Sequence, residues 1–167
     1  AAPAPIYQPW RPAAMTETLP WLLASYLTGA IPASYLAARL FRGIDLREHG
    51  SRNLGATNLY RVLGWRYAIP VGLFDIAKGA VPVLLYAPRV SSSQLFALVC
   101  GLTAVVGHVF SVFVRFRGGK GVATAAGVML GLTPAALGVA ALVWVALVYL
   151  TGYVSVGSIA AAVVLPV

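Results

Sequence analysis

Two short stretches of the chain carry residue types and spacings suited to holding phosphate. The first, GIDLREHGSRNLGATNLYR over residues 43–61, is dense in Gly, Ser, Asn, Thr and Arg. Gly50 and Gly55 tolerate backbone angles that let successive N–H groups converge on an anion. Ser51, Asn53, Thr57 and Asn58 supply neutral donors, and Arg61 adds a planar fork that matches phosphate geometry. If a helix begins near Thr57, with that side chain as its cap, Asn58 and Arg61 fall on one face. The second stretch, GHVFSVFVRFRGGKGVAT over 107–124, places Arg115, Arg117, Gly118, Gly119, Lys120 and Gly121 just before a helix. Glycines beside a lysine at a helix start form an anion site through free N–H groups and the helix dipole.

Other chemistries lack their parts. The second stretch is not a nucleotide-triphosphate loop, because Gly121 stands where a magnesium-binding Ser or Thr would be. There is no Gly-x-Ser-x-Gly elbow, and neither His49 nor His108 is followed by an Asp at the spacing of a His-x4-Asp acyltransferase. Four acidic residues in the whole chain make paired-carboxylate or two-metal catalysis hard to assemble. Two histidines and one cysteine, Cys100, do not make a zinc site, and Cys100 lies in an apolar run as an inert buried thiol. No metal and no cofactor is called for.

The elements that must position these loops follow from composition. Of 167 residues, 60% are hydrophobic and 10% are charged, and mean hydropathy is +0.85. A soluble domain carries about 25% charged residues, so this chain cannot cover a globule in water. Crossing roughly 30 Å of hydrocarbon takes about 20 helical residues. Apolar runs at 19–41, 67–87 and 95–114 reach that length, and those at 134–150 and 153–167 come close. The stretch 121–132 is too short to span easily and reads as a tilted half-helix, a re-entrant segment or a packing helix, with Gly127 and Gly131 forming a GxxxG. None of the runs alternates with the period of a barrel strand. The expected fold is all-α, a polytopic transmembrane helical bundle forming one domain over 15–167, preceded by a disordered or non-native Pro/Ala-rich lead at 1–14.

Charge sets the orientation. The formal net charge is +8, and eight of the twelve cations fall in loops 42–66 and 115–120. Two spans separate those loops, so both lie on one face, which the positive-inside rule makes cytoplasmic, with the amino terminus outside. A basic nucleic-acid binder would not be this apolar. Asp75 and Lys78 sit three apart in the middle of a span. Ionisable groups there are costly, and the simplest reading is a self-neutralising pair that orients helices. Phe110, Phe113 and Phe116, also three apart, form a lipid- or helix-facing stripe.

The segments GIDLREHGSRNLGATNLYRVLG, LFDIAKGAVPV, GHVFSVFVRFRGGKGVAT and TGYVSVGSI occur in that order between about residues 29 and 160. In them the chain resembles the bacterial acyl-phosphate:glycerol-3-phosphate acyltransferase family. The resemblance implies a seven-helix enzyme of the inner (cytoplasmic) membrane with its active face cytoplasmic. It transfers a fatty acyl group from acyl-phosphate to the 1-hydroxyl of glycerol 3-phosphate, giving lysophosphatidic acid and phosphate in phospholipid synthesis. By the same resemblance, Ser51, Asn53, Gly55, Thr57 and Asn58 cradle the acyl-phosphate headgroup, while Arg61, Lys120 and Ser158 bind glycerol 3-phosphate. Ser51, Arg61 and Lys120 carry catalysis, with His108, Gly118 and Gly119 in support. Implied partners are the bilayer, the two phosphorylated substrates and the soluble enzyme that makes acyl-phosphate. The family's carboxy-terminal His, Asn and Glu do not occur before Val167, so the expectation is the family fold with that part missing here. An organophosphate or phosphate transporter is the alternative, although no internal repeat supports it.

Overall fold

The computed structural model describes residues 15–164, so the reading of 1–14 lies outside the described residues. Eight α-helices occur among them: α1 Met15–Ala30, α2 Ala33–Arg42, α3 Ala56–Leu63, α4 Trp65–Val81, α5 Gln94–Val109, α6 Val122–Leu132, α7 Pro134–Thr151 and α8 Val154–Val164. The all-helical membrane fold expected from composition is what forms. α4 runs on through a π-helical turn, Pro82–Tyr86, and a 3-10 turn, Ala87–Arg89. The apolar helical stretches Trp65–Arg89, Gln94–Val114 and Pro134–Thr151 are long enough to cross a bilayer.

One expected span is corrected. The run 19–41 is not a single helix but α1 and α2, broken at Ile31–Pro32. Pro32 has no N–H to continue the ladder, and its ring disfavours helical angles at Ile31. α2 then ends at Gly43, whose left-handed backbone (φ 67°) turns its N–H onto the carbonyls of Ala38 and Arg39. That break frees the ten residues of α2 to carry the first basic loop.

The three most extensive helix pairs are α1 with α5, α4 with α6, and α7 with α8. In lipid there is no hydrophobic drive between helices, so close packing of backbones has to hold them. Glycines supply it reciprocally. Gly29 of α1 faces the Ala104 carbonyl of α5, and Gly107 of α5 faces the Tyr26 carbonyl of α1. Likewise Gly79 of α4 meets the Thr124 carbonyl, and Gly127 of α6 meets the Ile76 carbonyl. The stretch 121–132 is therefore a packing helix, and its GxxxG is used. A Cβ on Gly127 would run into the Ile76 carbonyl. Gly127→Ala is expected to cost about 1–3 kcal/mol through overpacking, read as a lowered thermal midpoint in detergent; an unchanged midpoint would contradict this packing.

Asp75 and Lys78 pair as expected, with Nζ 2.7 Å from Oδ1 and both side chains 2% exposed. Phe110, Phe113 and Phe116 are all exposed, in keeping with a lipid-facing stripe. Cys100 is fully buried.

At one end of the bundle a separate apolar cluster seats both loops. It joins Ala37 and Ala38 of α2, Leu46 and Leu54 of the first loop, Leu59 of α3, Val71 of α4 and Val114 of the second loop. The two basic stretches thus share one small core, as their placement two spans apart requires.

Candidate functional site

The first loop is built around a buried asparagine. Asn58 is 1% exposed, and its Oδ1 accepts from the Ser51 N–H at 2.7 Å. Its Nδ2 donates to the carbonyls of His49 and Asn53, both at 3.0 Å, and more weakly to that of Leu46 at 3.4 Å. Gly50 has to be glycine on two counts: its φ is +59°, and a Cβ would strike Asn58 Oδ1. Asn58 therefore organises the first loop from beneath, with its amide spent on the backbone. Thr57 is not the cap of α3: the helix starts one residue earlier, after Gly55 in an extended conformation, and Thr57 stands in its first turn. Gly55 fits because the Asn53 side chain folds over it, with Oδ1 3.0 Å from where a Cβ would be.

The cations of this end divide into two groups. Arg47 grips Asp45 through Nε and Nη2, the latter at 2.7 Å from Oδ2, and Arg39 stands 3.7 Å from the same carboxylate. Both guanidinium groups also lie over the Tyr35 ring, at 5.1 and 5.7 Å. These two arginines are committed to scaffolding. By contrast, the side chains of Arg42, Arg52, Arg61, Arg115, Arg117 and Lys120 are exposed, with no side-chain hydrogen bond or ion pair among the described residues, and Arg66 lies over the Trp65 ring at 5.6 Å. The Ser51 hydroxyl is also exposed and without an internal partner.

The Arg47 clamp holds the Asp45 carboxyl down at about 2, against an ordinary 3.8. A depressed carboxyl stabilises the fold in full above its unfolded value and loses that contribution as pH falls through the folded value. Asp45→Asn is thus expected to lower the thermal midpoint at pH 7, with the gap to wild type closing between pH 3.8 and about 2. A gap that stays constant down to pH 2 would sink the ionic account.

The second loop is pinned to the first. Its start, the Ser111 hydroxyl, donates to the Ala30 carbonyl at the end of α1. Gly118 N–H donates to the Val109 carbonyl at 2.9 Å and Gly119 N–H to the His108 carbonyl at 3.2 Å. Gly119 is wedged between the His108 ring and the Leu54 carbonyl of the first loop, with no room for a Cβ. His108, Gly118 and Gly119 come together in space, and Lys120 follows them exposed at the seam between the loops. The three non-glycine residues with positive φ among the described residues, Arg52, Arg115 and Phe116, all lie in these two loops. Such backbone costs of order 1–3 kcal/mol each and gathers at functional sites.

Set against this geometry, the comparisons are decisive. The profile of the Glycerol-3-phosphate acyltransferase family matches residues 19–167. The chain belongs to that family. A glycerol-3-phosphate acyltransferase of Chlorobaculum parvum is 45% identical over 163 residues, covering 91% of this chain and 70% of its own length. Its counterpart in Chlorobaculum tepidum is 44% identical over 163 residues with the same coverage. The crystal structure of PlsY (YgiH), an integral membrane glycerol 3-phosphate acyltransferase, in its glycerol 3-phosphate form, superposes with a TM-score of 0.83 at 38% identity. It covers 89% of this chain and 74% of that one. The lysophosphatidic acid form gives 0.80 at 37% identity, covering 89% and 73%. The protein is a multi-pass membrane acyltransferase, and the transporter reading falls away.

Within this acyltransferase the site residues are not all equally placed. Ser51, Asn53 and Gly55 lie on the first loop, Thr57 in the first turn of α3 and Arg61 in its last turn, and Lys120 lies at the loop seam. Ser158 stands on the α7–α8 hairpin, where its hydroxyl accepts from Trp144 Nε1 at 3.2 Å and donates to the Val154 carbonyl at 2.8 Å. No hydrogen bond joins it to either loop among the described residues. The unusual backbone expected at Gly50 is present, and what sequence reasoning missed is its fit to Asn58, together with Leu54 and Val114, which seat one loop on the other, and Ser111, which ties α1 to the second loop. A lone serine in the apolar run 109–114 was the available signal for the last.

Proposed function

We propose that this enzyme takes its acyl group from acyl-phosphate and delivers it to the 1-hydroxyl of glycerol 3-phosphate at the cytoplasmic face of the inner membrane. The observation that carries the reading is the division of cations: Arg39 and Arg47 are spent on Asp45, while Arg52, Arg61, Arg115, Arg117 and Lys120 are left free around two adjoining loops. Two phosphorylated substrates repel one another, and free donors on both sides of one seam offset that repulsion and align the reacting atoms. Ser51, Asn53, Gly55, Thr57 and the backbone that Asn58 holds receive the acyl-phosphate headgroup. Arg61 and Lys120 receive glycerol 3-phosphate, with Ser158 as a further contact.

An acyl-phosphate is already activated, so no covalent enzyme intermediate is required. The glycerol oxygen attacks the acyl carbon, the carbon–oxygen bond to phosphate breaks, and phosphate leaves with the electron pair. Donors near Ser51 stabilise the charge that develops on it. His108 is packed on Gly119 and His49 Nδ1 bonds the Asp45 carbonyl at 2.9 Å, so neither ring is set aside as a base. The leaving phosphate itself takes the hydroxyl proton. His49→Gln and His108→Gln are accordingly expected to keep substantial kcat; collapse to background in either, with folding and substrate binding intact, would defeat this step.

The same reading keeps the soluble enzyme that makes acyl-phosphate as the partner that supplies the donor. Purified protein with acyl-phosphate and glycerol 3-phosphate should release phosphate only when both are present. Turnover with acyl-CoA in place of acyl-phosphate would overturn the donor assignment.

A further inference from the structure

The buried pair on α4 has an effect beyond neutralising itself. Lys78 Nζ donates to the carbonyl of Ile31 at 2.9 Å, at the break between α1 and α2. That carbonyl also accepts from the Ala33 N–H at 3.1 Å, so the ammonium group takes its second lone pair and meets the negative end of the α1 dipole. The neighbouring Ala30 carbonyl is taken by the Ser111 hydroxyl, which opens the second loop. On its other side the pair faces His108, whose Nδ1 stands 3.8 Å from the Asp75 oxygen that Lys78 also contacts. The same imidazole lies against Gly119, the residue before Lys120. Asp75, Lys78, His108 and Ser111 are all more than nine-tenths buried.

A buried ion pair adds little net stability, because desolvation cancels most of its Coulombic gain. Its consequence here is positional. One end fixes where α1 stops, the other seats the ring on which the Gly118–Gly119 turn rests, and Ser111 ties the two together. We propose that Asp75 and Lys78 are positioning residues: without touching substrate, they hold the Gly118–Lys120 turn at the height where Lys120 meets glycerol 3-phosphate. This rests on the assignment of Lys120 to that substrate.

The test is Asp75→Leu/Lys78→Met, which removes both charges together and leaves neither unpaired. Its KM for glycerol 3-phosphate should rise about tenfold, while kcat and the KM for acyl-phosphate stay within about threefold of wild type. Lys78→Arg, which keeps a cation and its donors, should restore most of the loss. In a Lys120→Ala background the double change should add no further rise, because coupled residues are not additive. An unchanged glycerol 3-phosphate KM, a loss confined to kcat, or full additivity with Lys120→Ala would overturn the proposal. If Lys120→Ala alone leaves that KM unchanged, the reading of the site fails instead. Should the double variant not fold, His108→Gln cuts the link to Gly119 without altering charge. It should show the same selective rise in KM, and its absence counts equally against the proposal.

Discussion

Asn58→Leu is expected to abolish acyl transfer while leaving the helical bundle intact. The substitution removes one acceptor and the two N–H bonds that Asn58 Nδ2 shares among the Leu46, His49 and Asn53 carbonyls, all converging on a side chain that is 1% exposed. A buried polar group left without a partner costs about 1–3 kcal/mol. Several at once exceed what a thirteen-residue loop from Gly43 to Gly55 can recover from Leu46 and Leu54 alone. The loop then loses its shape, and Ser51 and Asn53 move with it. Misplacing reacting groups by about 1 Å costs on the order of 100-fold in rate, so kcat/KM should fall by at least about that factor. The thermal midpoint of the membrane helices, held by the α1–α5 and α4–α6 contacts, should move little. Asn58→Asp separates shape from hydrogen bonding. It keeps an oxygen for the Ser51 N–H but turns a carboxylate on three carbonyls, and it should fail as badly. Near-normal kcat/KM in either variant would show that the amide does not build the cradle.

Lys120→Ala is the second large effect. Lys120 is exposed, has no partner in the described chain, and follows a glycine wedged between His108 and Leu54. Its ammonium group is therefore available to an anion, and its backbone is fixed. A hydrogen bond to a charged group contributes about 1.5–3 kcal/mol, which corresponds to roughly 10- to 150-fold in affinity. The KM for glycerol 3-phosphate should rise by that range, with the KM for acyl-phosphate much less affected. Salt offers an independent reading, since exposed charges are screened over about 8 Å at physiological ionic strength. Added salt should raise the wild-type KM for glycerol 3-phosphate and affect the variant less. Equal weakening toward both substrates would count against the assignment.

Much of this was legible in the chain itself, for reasons that apply residue by residue. The loops announced themselves because glycine, hydroxyl, amide and guanidinium groups are out of place in an oily chain unless something anionic needs them. The spans 67–87 and 95–114 were legible because length and hydropathy are local properties. The break at Pro32 was equally local, yet the surrounding run of apolar residues masked it. Asn58 was harder. A buried asparagine and an exposed one have the same name, and only the fold of residues 46–58 decides which carbonyls its amide meets.

By itself the sequence determined that the protein lives in a membrane, that its cations gather on one side, and that two phosphate-suited loops lie two spans apart. These follow from composition and order along the chain, and need no knowledge of contacts. The tertiary structure decided which cations are free. Arg47 and Arg61 are alike as residues, and they differ because Asp45 folds back on one and nothing folds back on the other. It also decided that a mid-span lysine paired with an aspartate reaches the break after α1, since the carbonyl that Lys78 meets lies 47 residues earlier in the chain. Long-range partners are set by packing, and packing is what a linear pattern leaves open.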